Sequence, residues 1–127
     1  MVAMTHDNRI GILVADRNPR VRAFLQREMM AAGYRVTAAD SARDVLRWAA
    51  ERDRVDLVII DPDLPDAEPE ALLAELRRRR PQLPVVIHAL PDPERGPADP
   101  PAAGFVEKGA RSVERLQTLV RALLPRA

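Results

Sequence analysis

Apolar residues are grouped along the chain in two alternating ways. Continuous runs stand at residues 10–15 (IGILVA), 55–60 (VDLVII) and 84–90 (PVVIHAL), with shorter ones at 34–38 and 104–106. Runs this short, with little polar alternation, suit strands buried on both faces of a parallel sheet. Between them apolar positions recur three and four apart, as on one face of a helix. Val21, Phe24, Leu25, Met29 and Ala32 form the first such face, and Val45, Leu46 and Ala49 the second. Leu72, Leu73 and Leu76 form the third, and Leu116, Leu119, Val120, Leu123 and Leu124 the last.

Boundary signals agree with this division. Asn18 and Pro19 supply an N-cap and a first-turn proline, and Gly33 supplies a stop. Ser41 with Asp44 resembles a capping box, and Ser112 is placed to cap the last helix. Pro69 opens the third helix and Pro81 closes it. Strands alternating with helices predict an α/β fold, a doubly wound five-stranded parallel sheet with helices on both faces. Residues 91–103 break the alternation. They hold prolines 91, 93, 97, 100 and 101, which an ordinary helix cannot accommodate. The helix between the fourth and fifth strands is therefore expected to be short or missing.

The chain's 127 residues suit a single hydrophobic core. Residues 1–8 read as a flexible N-terminal tail and residues 9–127 as one domain. A formal net charge of +1 names no strongly charged partner. The absence of cysteine removes disulfides, thiolate metal sites and cysteine nucleophiles from consideration. No apolar run approaches the roughly 20 residues that span a bilayer, so membrane insertion is not expected and a cytoplasmic location is the default.

In an open α/β sheet, ligands bind beyond the carboxyl ends of the strands. The residues at those ends are Asp16, Asp61, Ala89 and Lys108. A lone aspartate after a strand is more often a turn or cap residue than a ligand. Two carboxylates and an ammonium at three strand ends could instead hold a divalent cation and a phosphoryl group. Lys108 is also the one lysine among 20 basic residues, so its placement carries information.

These residues carry a family resemblance. ILVADRNPRVRAFL resembles the first strand and helix of response-regulator receiver domains, and DLVIIDPDLPDAEPEALL their phosphoacceptor strand and following helix. PVVIHAL resembles the fourth strand and GFVEKG the fifth. The resemblance, to an atypical CheY-like member, covers about residues 9–124 and implies strand order 2-1-3-4-5. It implies Asp61 as phosphoacceptor, Lys108 as the clamp on its charge, and Phe105 as the aromatic switch. It assigns Mg²⁺ to Asp16, Asp61 and the backbone carbonyl of Asp63. It implies a histidine kinase or other signalling protein as partner, and a homodimer as a further assembly. It implies no enzymatic activity beyond self-phosphorylation from a kinase or a small phosphodonor.

Three departures qualify the resemblance. The acidic pair after the first strand is halved, because Arg17 follows Asp16. A cation there opposes Mg²⁺, which is expected to bind weakly or not at all; Arg17 could instead swing into solvent, or pair with Asp61 and stand in for the metal charge. Ala89 stands where the family has a hydroxyl residue, and alanine has no donor. His88 beside it is expected on the opposite face of the strand. The proline-rich segment replaces a helix. Together they predict weak or lost phosphorylation and signalling through protein contacts, against the alternative of a fully phospho-competent regulator.

Other classes fit less well. Asp61-Pro62-Asp63 has the D-x-D form of aspartate-nucleophile phosphatases, but it follows the third strand, and Leu64 and Pro65 stand where a hydroxyl residue is usual. The arginines at 77–80 suit a helix C-terminus, and four aromatics are too few for a nucleic-acid stacking platform. Direct nucleic-acid binding is therefore not expected. No Gly-rich phosphate loop follows the first strand.

Overall fold

Strand β1 (Gly11–Ala15) is buried along its whole length, as an apolar run without polar alternation requires, and it lies inside the sheet. The computed structural model describes residues 8–94 and 102–124. After β1 come α1 (Pro19–Ala31), β2 (Arg35–Ala39), α2 (Ala42–Ala49), β3 (Leu57–Ile60) and α3 (Pro69–Arg79). β4 (Val85–Ala89), β5 (Gly104–Glu107) and α4 (Ser112–Leu123) complete the order. The five strands form one parallel sheet in the order β2-β1-β3-β4-β5. The predicted class and strand order are both present.

The local signals act largely as read. The Asn18 side chain accepts from the backbone N–H groups of Arg20 and Val21, and Pro19 occupies the first turn of α1. Gly33 leaves that helix with φ of 99°, a conformation that favours glycine. Ser41 Oγ accepts from the Asp44 N–H, 3.1 Å away, at the start of α2. Ser112 departs from expectation. It is the first residue of α4 and is buried, and the preceding Arg111 makes no side-chain cap.

Two apolar layers sandwich the sheet. Leu13, Ala15, Val58, Ile60 and Ile87 face α2 and α3, with Val45, Leu72 and Leu76 behind them. Ile12, Val14, Ile59, Val86 and Val106 face the other way, onto Leu25 and Met29 of α1 and Leu116 and Val120 of α4. The predicted apolar face of α1 is narrower than the spacing suggested. Leu25 and Met29 carry it, whereas Phe24 is 43% exposed under the guanidinium of Arg27, and Ala32 is exposed.

β3 begins later than the apolar run, because Asp56 turns its carboxylate to the Gly11 N–H, 2.8 Å away. A Cβ at Gly11 would collide with the backbone carbonyl of Arg54, so the close approach of these segments requires glycine. No helix lies between β4 and β5 among the described residues 91–94 and 102–103. The rest of that proline-rich stretch, 95–101, and most of the expected tail, 1–7, lie outside the described residues. Among the described residues no helix is long and apolar enough to cross a membrane.

One polar side chain sits in this core without a partner. His88 is 2% exposed, and neither ring nitrogen makes a hydrogen bond. As expected from strand alternation, it shares the face of Val86, toward α1 and α4, opposite to Ala89. Burial above all, and then the Lys108 charge, push it from 6.5 down to about 4, against the pull of Asp61. Between those values the unfolded chain binds a proton that the folded chain excludes. Stability is therefore full above the unfolded value and declines with acid until the folded value is passed, a loss of about 3 kcal/mol. His88→Leu is expected to unfold at higher denaturant, by about 1–3 kcal/mol at neutral pH. It should also lose most of the decline between pH 6.5 and 4, both read from denaturant titrations across that range.

Candidate functional site

The sheet register brings the predicted polar residues together. Ala15 is level with Ile60, and Ile60 with Ile87. One residue further on, Asp16, Asp61 and His88 stand in a single row across three strand ends. The backbone fixes this row: the Asp61 N–H donates to Ala15 O at 2.8 Å and the Asp16 N–H to Ala39 O at 3.1 Å. On the far side the Lys108 N–H donates to Ala89 O at 2.7 Å, turning the chain out of β5 toward the same crevice.

Side chains complete the cluster. The Lys108 ammonium lies 2.9 Å from Asp16 Oδ2 and 3.6 Å from Asp61 Oδ2. Both carboxylates are almost fully buried and the lysine side chain is 16% exposed. The second oxygen of each acid is held by the loop after it. Asp16 Oδ1 accepts from the Asn18 N–H at 2.9 Å, and Asp61 Oδ1 from the Asp63 N–H at 3.0 Å. Burial raises the Asp16 carboxyl above its ordinary range and the Asp61 charge adds to this, against the Asn18 N–H and the Lys108 ammonium.

Arg17 is neither buried nor remote. Its Nε lies 3.9 Å from Asp61 Oδ2, the oxygen that also faces Lys108, while 59% of its side chain is exposed. It therefore takes the pairing arrangement among those read for it in the sequence, at a distance where solvent screens much of the attraction. Ala89 is buried at the end of β4 and contributes only its backbone carbonyl. Phe105 lies level with Ile87 on the edge strand and is 48% exposed.

Several supporting contacts were not read from the sequence. Arg22 Nη1 donates to the backbone carbonyl of Asp16 at 2.8 Å, one helical turn along α1. Asp66, in the loop after Asp61, accepts from the N–H groups of Ala42 and Arg43 at 2.6 and 3.0 Å. These bonds lower its carboxyl below the ordinary range and tie the loop to the start of α2. The acidic loop was visible in sequence, but nothing local pairs Asp66 with a helix 24 residues earlier.

The fit of a hard cation can be judged from the acids themselves. Asp16 Oδ2 and Asp61 Oδ2 are buried and face the Lys108 ammonium rather than a backbone N–H. Two such oxygens suit a divalent ion with oxygen preference. The protein cations already stand beside them, however, and no cluster of three His, Cys, Asp or Glu side chains around one point occurs among the described residues.

Comparison with known proteins agrees with this fold. The DNA-binding transcriptional regulator NtrC of Bradyrhizobium sp. is 37% identical over 77 residues, 61% of this chain but 16% of that protein. The chain thus spans a small part of the curated relatives it matches. The signal receiver domain of an HD domain-containing protein from Pseudomonas fluorescens superposes with a TM-score of 0.76 at 25% identity, covering 97% of this chain and 91% of that one. TrrA of Thermotoga maritima, solved with Mg²⁺ and BeF, gives a TM-score of 0.79 at 24% identity over 91% of this chain and 99% of that one. TrrA has also been solved bound to the histidine kinase ThkA. The response regulator receiver domain profile matches residues 12–119, and the chain belongs to that family.

Proposed function

We propose that residues 9–127 form a receiver whose phosphoacceptor position, Asp61, is paired with protein cations, so that phosphorylation is weak or lost and signalling runs through protein contact. The observation that carries this reading is Arg17 Nε at 3.9 Å from Asp61 Oδ2, on the carboxylate that Lys108 also faces. A phosphodonor would have to displace this pairing, and Ala89 offers no hydroxyl to the incoming group.

In this reading Asp61 is the acceptor and Lys108 the clamp that follows its charge. Asp16, Asp61 and the backbone carbonyl of Asp63 would hold Mg²⁺, weakly, because Arg17 competes for the same negative charge. The ion would neutralise phosphoryl oxygens. Phe105, half-exposed beside the end of β4, is the side chain free to change position with the state of the crevice. The partner is a histidine kinase or another signalling protein in the cytoplasm, with a homodimer as a second assembly and no direct contact to nucleic acid. Turnover of phosphoesters is not part of this reading, since the Asp63 N–H supports Asp61 and the Asp63 residue is exposed.

Incubation with Mg²⁺ and acetyl phosphate, followed by intact mass measurement, is expected to show little or no phosphoryl gain. Ready, stoichiometric modification at Asp61 would overturn the reading in favour of a fully competent regulator. Arg17→Asp is expected to raise the rate of modification on the order of tenfold, the scale of removing one partly screened cation near the carboxylate. Adding Ala89→Thr to that variant is expected to increase it further, by returning a hydroxyl donor. A double variant no faster than the parent would show that these two positions do not limit the chemistry.

A further inference from the structure

At the end of the sheet away from Asp61, three chain segments bring arginines together. Arg47 lies in the last turn of α2, Arg52 and Arg54 in the loop to β3, and Arg77, Arg78 and Arg79 in the last turn of α3. Arg80 binds these segments to one another. Its Nη1 donates to Ala49 O at 3.1 Å and to Val55 O at 2.8 Å. Arg52 Nη2 reaches Arg79 O at 3.3 Å. The four-arginine run is thus divided in its duties: Arg80 is structural, and Arg78 and Arg79 hold Glu75 between them.

The cations of α2 and of the loop after it are less well matched. The guanidinium carbons of Arg47 and Arg54 lie 5.2 and 5.4 Å from the centroid of one ring, that of Trp48. Two like charges are held on one indole. Arg47 has only a distant carboxylate, Asp44 at 3.7 Å. Among the described residues no carboxylate lies within 4.0 Å of the guanidinium of Arg52 or Arg54. The nearby Arg52 charge, after burial, also lowers the pKa of Arg80, so the cations at this corner act on each other. Cations at helix C-termini complement the macrodipole, which accounts for Arg47 and for the end of α3. It does not account for Arg54, which lies beyond the end of α2 and folds back over Trp48.

We propose that the Arg47–Trp48–Arg54 corner, with Arg52 beside it, is a docking surface for an acidic segment of a partner protein. Each guanidinium presents a planar fork that matches a carboxylate, and the indole fixes both forks in place. A protein segment is favoured over nucleic acid by the state of the indole. The indole is engaged by guanidinium groups, which leaves no open platform for a base. The surface lies at the far end of the sheet from the Asp61 crevice, so its occupancy does not depend on the chemistry there.

Trp48 is the chain's one tryptophan and reports on its own site. Titration of the whole protein at low salt with a hexaglutamate peptide is expected to give a saturable change in its fluorescence. The apparent affinity should fall about tenfold or more at physiological salt, where the Debye length is ~8 Å. Arg47→Glu with Arg54→Glu should abolish the change. Arg47→Lys with Arg54→Lys, which keeps charge and loses the forks, should weaken binding while leaving the melting temperature unaltered. No saturable signal, or an equal signal in the Glu variant, would overturn the proposal. So would tighter binding of a short DNA duplex than of the peptide, or displacement of the peptide by equimolar inorganic phosphate.

Discussion

The chemistry of this domain turns on one ammonium shared by two buried carboxylates. Lys108 Nζ stands 2.9 Å from Asp16 and 3.6 Å from Asp61, where water has little access. Burying two acids side by side is unfavourable unless positive charge accompanies them, and removing one partner of such a cluster typically costs about 3–5 kcal/mol. The sheet exists in a form that permits this. In-register parallel strands set Asp16 and Asp61 level, and β5 brings Lys108 across β4 to meet them. The loops then spend their backbone N–H groups on the outer carboxylate oxygens, leaving the inner pair for the cation.

Two side-chain cations, Lys108 and Arg17, face the crevice acids. Arg17 approaches the same oxygen of Asp61 from solvent, so that carboxylate sees two side-chain cations. At the end of that row, His88 stays neutral because burial and Lys108 both oppose its protonation. A second fixed positive charge in the core would compete for the same acids. The unpartnered imidazole is thus tolerated as a neutral wedge, at some expense in stability, next to the one group whose charge matters.

Much of this was legible in the sequence. Apolar runs of three to seven residues located all five strands, most clearly β1, β3 and β4, because strands buried on both faces leave no room for polar alternation. Asn18 and Ser41 marked helix starts through short-range bonds to their neighbours, and Pro19 and Pro69 through a fixed φ and a missing N–H that the first turn tolerates. Asp16, Asp61 and Lys108 could be placed in one pocket because strand ends in such a sheet share an edge. Ser112 misled because its motif fits a cap, yet the helix begins on it and buries it. Phe24 misled because helical spacing does not say how wide the buried stripe is. The Asp66 clamp on α2 and the paired guanidiniums over Trp48 depend on distant segments, and no local pattern announces them.

The central claim is that side-chain cations, rather than a bound metal, compensate the crevice acids. Titration of Mg²⁺ into the protein, followed through the backbone amide signals of Asn18 and Asp63 that hold the two carboxylates, tests it most directly. No saturable shift is expected below about 1 mM Mg²⁺, a binding free energy weaker than about −4 kcal/mol. Saturation well below that concentration, with both amides moving together, would contradict it.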